Sequence, residues 1–209
     1  MYIPKAFRKD AIEALHRLMQ EHSFATLVTC QDGLPFATHL PLLLDTKRGP
    51  YGTLRGHIAR GNHQWHFFDG VGEALVIFQG PHAYITPSWY EVELSVPTWN
   101  YAVAHAYGIP RVIEDKAVLY VLLQELVQTH EAHFENPWPF QLPDDYVEKM
   151  MQGVVGFEME ITRLEGKYKL SQNRSMNEQR HVAATLEAQG DDLSVGVAAL
   201  MKENIVQPH

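Results

Sequence analysis

Three stretches of this chain place chemically capable side chains at spacings that can act together. The first is Leu54-Arg55-Gly56-His57-Ile58-Ala59-Arg60-Gly61-Asn62-His63-Gln64-Trp65. On a strand, Arg55 and His57 share one face, Gly56 lets a ligand approach the backbone, and a helix beginning near Arg60 offers free N–H groups to an anion. That suits a phosphate; the plainer alternative is solvated arginines and turn glycines. The second is Lys167-Tyr168-Lys169-Leu170-Ser171-Gln172-Asn173-Arg174. Alternation along a strand end puts Lys169, Ser171 and Asn173 on one face, with Arg174 adding a fork-shaped donor. This suits a phosphate or an oxidised ring edge, although basic residues at strand ends also serve as surface solubilisers.

The third, Tyr84 to Gly108, holds two of the four tryptophans and four of the nine tyrosines, interleaved with Thr86, Ser88, Thr98, Asn100 and His105. Aromatic rings with polar tips are costly to bury without partners, so the mixture suits a pocket for a flat, polar ligand or, alternatively, an aromatic sheet edge. Other chemistries find less support. His63 and His66, and His130 and His133, sit at i, i+3, a spacing that can direct two ligands to one metal, but neither pair forms HExxH and no metal site is assigned. GxSxG and GxGxxG are absent, and Cys30, the single cysteine, has no basic neighbour to activate it.

The elements that position these residues follow from hydrophobic period and turn chemistry. Residues 7–21 read as an amphipathic helix. FATLVTC (24–30) and PFATHLPLLLD (35–45) read as a hairpin about Asp32-Gly33, and a third strand follows at 51–58. A short helix over 59–69 carries Trp65; strands follow at 73–79 and 83–86, then two more within 99–113, broken near Gly108-Ile109-Pro110. Residues 116–135 form the clearest helix, with Asp115 as N-cap and Val118, Leu122, Leu126 and Val127 on its apolar side. A proline-rich loop (136–143) leads to a short helix that closes on Gly153. Residues 154–172 read as a long hairpin turning at Glu165-Gly166, and one or two helices complete the chain. The fold class is mainly β with peripheral helices (α+β): one domain over 1–209, with an N-terminal helix, inserted helices at about 116–152 and a helical C-terminal tail.

Composition bounds the function. With 45% hydrophobic and 20% charged residues and a mean hydropathy of -0.23, the chain has a soluble globular composition. No run approaches the roughly 20 apolar residues of a membrane span. The charged N-terminus and the lone cysteine point to a cytoplasmic protein. A net charge of -8 weakens any proposal of direct nucleic-acid binding.

MYIPKAF, GHIARGNHQW, YITPSWY, VPTWNY with HAYG, and GFEMEITRLEGKYKLSQNR run in order over nearly the whole chain. Together they resemble the PaiB family of FMN-binding negative transcriptional regulators, which share the FMN-binding split β-barrel of pyridoxamine 5'-phosphate oxidases. The resemblance implies an obligate homodimer with two FMN molecules at the subunit interface. It implies Arg55, Gly56, His57, Asn62 and Trp65 as phosphate and ribityl contacts, Thr98, Trp99 and Asn100 as ring neighbours, and Lys169, Ser171, Gln172 and Arg174 as a second basic wall. Since the sequence offers neither a recognition helix nor a basic balance, regulation would act indirectly. The same fold leaves two alternatives open: an FMN-dependent oxidoreductase using His57, Tyr101 or His105 as proton donor, or a haem-handling protein with His22, His63 or His105 as axial ligand.

Overall fold

The computed structural model describes residues 1–68, 70–90 and 94–206. After a 3-10 turn at Lys5–Phe7, the order is β1 (Arg8–Lys9), α1 (Ile12–Glu21), β2 (Phe24–Gln31), β3 (Leu34–Pro41), β4 (Leu43–Asp45), β5 (Thr53–Ala59), β6 (Ala74–Ile85), β7 (Thr98–Val112), α2 (Lys116–Glu131), α3 (Asp144–Met151), β8 (Val154–Lys169), α4 (Met176–Gln189) and α5 (Asp192–Val206). The strands form a mainly antiparallel sheet in the order β3-β2-β6-β7-β8-β5-β4, with β1 also pairing β8. No helix among the described residues is long and apolar enough to cross a membrane. Backbone packing divides the chain into two compact units, and β6, β7 and β8 contribute residues to both.

One unit comprises Met19–Phe78 and His105–Leu164. Its β2–β3 hairpin pairs from Phe24↔Pro41 to Gln31↔Leu34, and Asp32 (φ 51) and Gly33 (φ 79) make the left-handed two-residue turn that Asp-Gly favours. β5 pairs β8 from Thr53↔Glu160 to Ala59↔Val154. Leu27, Leu54, Val76, Phe157, Met159 and Ile161 are fully buried at its centre. The Asp115 carboxylate accepts from Ala117 N at 2.7 Å and opens α2. The buried stripe of α2 is Leu119, Leu122 and Leu126, packed on Ile113, Met151 and Val154. Val118, expected inside, is 48% exposed, because the i, i+3, i+7 leucines present a wider apolar face than the valines.

The other unit comprises Met1–Leu18, Gln79–Ala104 and Glu165–His209. Here Ala14, Leu15 and Leu18 of α1 are buried, and the Tyr168 hydroxyl donates to Ala14 O at 3.2 Å. Ser175 and Glu178 form a reciprocal capping box at the start of α4, and Gly190, at φ 77, ends it. Val182, Ala183 and Leu186 of α4 and Val197, Ala198 and Met201 of α5 are buried.

Three strands run longer than the sequence patterns indicate, and glycine misleads in each. Gly166 is not a turn: β8 continues through it to Lys169, and a Cβ there would overlap Leu15 and lie 2.6 Å from Lys9 O. Gly108 lies inside an uninterrupted β7, where a Cβ would overlap Glu160 O. At Gly80, within the continuous β6, a Cβ would meet Leu18 Cδ1 at 2.6 Å. In each case the missing side chain admits a neighbour and does not mark a bend. The expected helix over 59–69 is a 3-10 segment, His63–Phe67; Asp69, and Glu91 to Glu93 within the aromatic stretch, lie outside the described residues. Gly108→Ala therefore destabilises the fold by about 1–3 kcal/mol, the usual range for overpacking, whereas Gly61→Ala, with nothing within 4 Å, leaves the urea midpoint nearly unchanged. Equal midpoints for both variants would contradict the close packing at Gly108.

Candidate functional site

In the unit built from Met19–Phe78 and His105–Leu164, Arg55 and His57 share the half-buried face of β5, alternating with buried Leu54, Gly56 and Ile58. Arg55 Nη1 lies 2.7 Å from Glu125 Oε2, so its charge is already balanced and a phosphate there would face a carboxylate. Gly56 does not open the backbone to a ligand: Leu42 Cδ2 and Pro41 O occupy the space, 2.6 and 3.3 Å from where a Cβ would stand. His57 Nδ1 is buried with no hydrogen-bond partner among the described residues, and burial holds the imidazole below its ordinary pKa of 6.5, hence neutral at pH 7.

The polar groups of the 3-10 segment after β5 are largely engaged within the protein. Asn62 Oδ1 accepts from Gln64 N at 3.0 Å, and Asn62 Nδ2 donates to Thr38 Oγ1 at 2.8 Å. Arg60 straps the end of β5 by donating to Gln152 O (2.7 Å) and Val154 O (2.9 Å), and its own carbonyl accepts from Trp65 Nε1 at 3.0 Å. Gln64 is a residue the sequence reading missed. It is fully buried, and its Nε2 lies 3.1–3.2 Å from Leu27 O, Thr29 Oγ1 and Phe36 O, tying both strands of the β2–β3 hairpin. A lone glutamine among histidines and aromatics carries no periodic signal that could have revealed it.

In the unit that contains Gln79–Ala104 and Glu165–His209, Lys169 Nζ donates to Thr98 Oγ1 and, at 2.7 Å, to Trp99 O. Lys167, two residues back on β8, lies 5.7 Å from the Tyr2 ring and 5.3 Å from the Tyr101 ring. Burial, and then the like charge of Lys167, pull the Lys169 ammonium below its ordinary range. Its hydrogen bonds among the described residues go to neutral oxygens, so an anion would relieve both penalties. The Trp99 indole is 52% exposed, with Tyr84 edge-on at 5.8 Å. Arg174 donates to Ser95 Oγ at 2.6 Å and covers the Tyr90 ring at 4.0 Å.

Beneath these groups lies a polar support. Asn100 is fully buried; its Nδ2 donates to Ser171 Oγ at 2.9 Å, and Ser171 Oγ donates back to Asn100 Oδ1 at 3.2 Å. Gln172 accepts from Leu170 N (2.7 Å) and donates to Tyr168 O (2.6 Å). Ser171 adopts φ 64, so the strand stops at Lys169 and the chain turns. Lys169, Ser171 and Asn173 therefore do not share a strand face. Thr98, Trp99 and Lys169 come together, whereas Asn100, Ser171 and Gln172 hold the turn that presents them. The Lys169 and Lys167 ammonium groups, the Thr98 hydroxyl and the open Trp99 indole form a set that fits a phosphate attached to a flat ring.

The family model described as "Putative FMN-binding domain" matches residues 1–163. The chain is 40% identical over 207 residues to the Protease synthase and sporulation protein PAI 2 of Bacillus subtilis, covering 98% of each. The chain belongs to the PaiB family. An uncharacterized protein of Emericella nidulans is 30% identical over 243 residues, with 97% of each chain covered. The PaiB-family fold is also seen in more distant solved structures. A FAD and heme binding protein from Mycobacterium smegmatis gives a TM-score of 0.56 at 16% identity, covering 82% of this chain and 78% of that one. A flavocytochrome from Azotobacter vinelandii gives 0.56 at 12%, covering 78% and 69%. The architecture is the split-barrel class, mainly β with peripheral helices, and FMN is the cofactor of the PaiB family.

His57 gives a pH test of this geometry. Because its native pKa is depressed, the unfolded chain takes up the proton first: the stability is complete above pH 6.5 and is lost as pH falls through the native value. Urea midpoints measured from pH 7.5 to 5 should fall for the wild type and fall less for His57→Gln. Parallel curves for the two chains would show that His57 is not desolvated.

Proposed function

We propose that this protein is an FMN-binding regulator or flavin-sensing protein of PaiB type, working as a cytoplasmic homodimer and acting on gene expression indirectly. The observation that carries the reading is the Lys169 ammonium, half-buried beside Lys167 and bonded to neutral oxygens, next to the exposed Trp99 indole. Lys169, Thr98 and Arg174 would hold the phosphate and Trp99 would lie against the ring. Asn100, Ser171 and Gln172 would fix the turn beneath them. Of the group Arg55, Gly56, His57, Asn62 and Trp65, the last two and Gly56 are packed or bonded within the protein, and Arg55 Nε and His57 Nδ1, buried with no hydrogen-bond partner among the described residues, are the atoms left to contribute. Bound FMN would supply a reversible redox centre that accepts one or two electrons.

The regulatory part rests on similarity to a relative named for protease synthesis and sporulation. A net charge of -8 supports an indirect route, since a protein without a basic balance gains little from phosphate contacts on DNA. Self-association is supported by β3, which ends the strand order and exposes Leu34 (74%) and Phe36, with Phe24 exposed on its hairpin partner. One feature favours the alternative, an FMN-dependent oxidoreductase: a neutral, buried His57 is suited to accept a proton.

Titration of FMN into apoprotein, followed by quenching of flavin fluorescence, tests the reading. Saturable quenching is expected, and Lys169→Met should weaken FMN about 10- to 100-fold, the loss of one charge-assisted contact to phosphate, while riboflavin, which lacks the phosphate, should be nearly insensitive to the change. Absence of quenching by the wild type would overturn the proposal, and an unchanged FMN affinity for Lys169→Met would remove Lys169 from the site.

A further inference from the structure

A cavity of about 700 Å³ lies in the unit built from Met19–Phe78 and His105–Leu164, between α2, α3 and the adjoining ends of β7 and β8. Its walls are apolar, with Ile113, Leu119, Val147 and Met151 supplying hydrocarbon, and the Trp65 and Tyr120 rings line it as well. That volume falls within the range of small-molecule pockets and is too large to be a packing defect. Its charged residues are unevenly matched. Glu114, Asp144 and Glu148 are exposed carboxylates of the lining and form no ion pair among the described residues. On the cationic side stand Lys116 and Arg60, the latter anchored to the carbonyls of Gln152 and Val154, so carboxylates exceed cations by three to two.

We propose that this cavity is a binding site for a hydrophobic organic cation, an apolar or aromatic body carrying a positively charged nitrogen. The hydrocarbon walls would take the body by excluding water. Indole and phenol faces attract a cation through the ring quadrupole, and the rim carboxylates supply the balancing charge. The same rim disfavours an anion: a phosphate at the mouth would meet three carboxylates against two cations, one of them anchored to the backbone. The site therefore selects a class of ligand different from FMN, and the inference goes beyond the flavin reading and does not depend on it.

Ethidium, a hydrophobic aromatic cation that brightens when shielded from water, is a direct probe, and 8-anilinonaphthalene-1-sulfonate is its anionic counterpart. Nucleic-acid-free wild-type protein should bind ethidium saturably at one site per chain and should bind the sulfonate at least tenfold more weakly. Ala117→Trp, which fills the cavity from an exposed lining position, should reduce ethidium affinity tenfold or more. The double variant Glu114→Gln, Glu148→Gln should narrow the preference for the cation severalfold at low salt. The proposal is overturned if the sulfonate binds as well as ethidium, if Ala117→Trp leaves ethidium binding intact, or if FMN displaces ethidium competitively. Retention of wild-type FMN quenching and far-ultraviolet circular dichroism by Ala117→Trp would show that a lost ethidium signal reports the cavity and not misfolding.

Discussion

Val154–Lys169 is a single strand of 16 residues, and every backbone N–H and C=O along it needs a partner. β5 supplies partners from Thr53 to Ala59, β1 supplies them at Arg8 and Lys9, and β7 is its other neighbour in the sheet. Continuity on this scale requires close approach, and glycine provides it. Gly108 admits Glu160 O, Gly156 admits Leu119, and Gly166 admits Leu15 and Lys9 O. Because β8 continues to its last residue, Lys169 arrives at a fixed height beside Thr98 and Trp99. Ser171 then turns the chain in a conformation that L-residues adopt reluctantly, and the buried Asn100 amide secures it. The presentation of the ammonium thus follows from the pairing of the strand that carries it.

The cations grouped by sequence proximity meet different fates, and Coulomb's law separates them. Arg55 is neutralised by Glu125, and Arg60 serves backbone carbonyls. Lys169 is desolvated beside a second lysine with neutral acceptors around it. A desolvated charge is costly until an opposite charge arrives, so of the three it is Lys169 that gains most from an anion. Electrostatics distinguishes among residues that a motif treats alike.

The parts legible in the sequence are those fixed by local chemistry. Asp32-Gly33 requires a left-handed two-residue turn and Asp115 satisfies the first N–H groups of α2; each is written within a few residues. Family motifs likewise carried the fold class and FMN. What could not be read depends on contacts distant in sequence. Nothing near Gly166 reveals that Leu15 packs there, so a glycine that admits a neighbour looks like a turn. Nor does the spacing of Arg55 disclose Glu125, 70 residues later, or the three acceptors around the Gln64 amide. The cavity beside α3 was invisible for the same reason, since its lining comes from three separated stretches, 60–65, 112–120 and 144–156.

The two proposed recognition surfaces, of opposite electrostatic character on one acidic chain, would have a physical consequence. A net charge of -8 repels anions at long range, so a phosphate at the proposed site would have to be drawn in by the desolvated Lys169 at short range, where screening is weak. The carboxylate-rimmed cavity works with the global field and attracts cations from further away. Binding at the lysines should therefore be governed chiefly by local geometry and desolvation, and binding at the cavity should weaken visibly as salt screens its rim. If both proposals hold, a protein that bound a flavin at the first surface could in this way respond to a chemically unrelated molecule at the second.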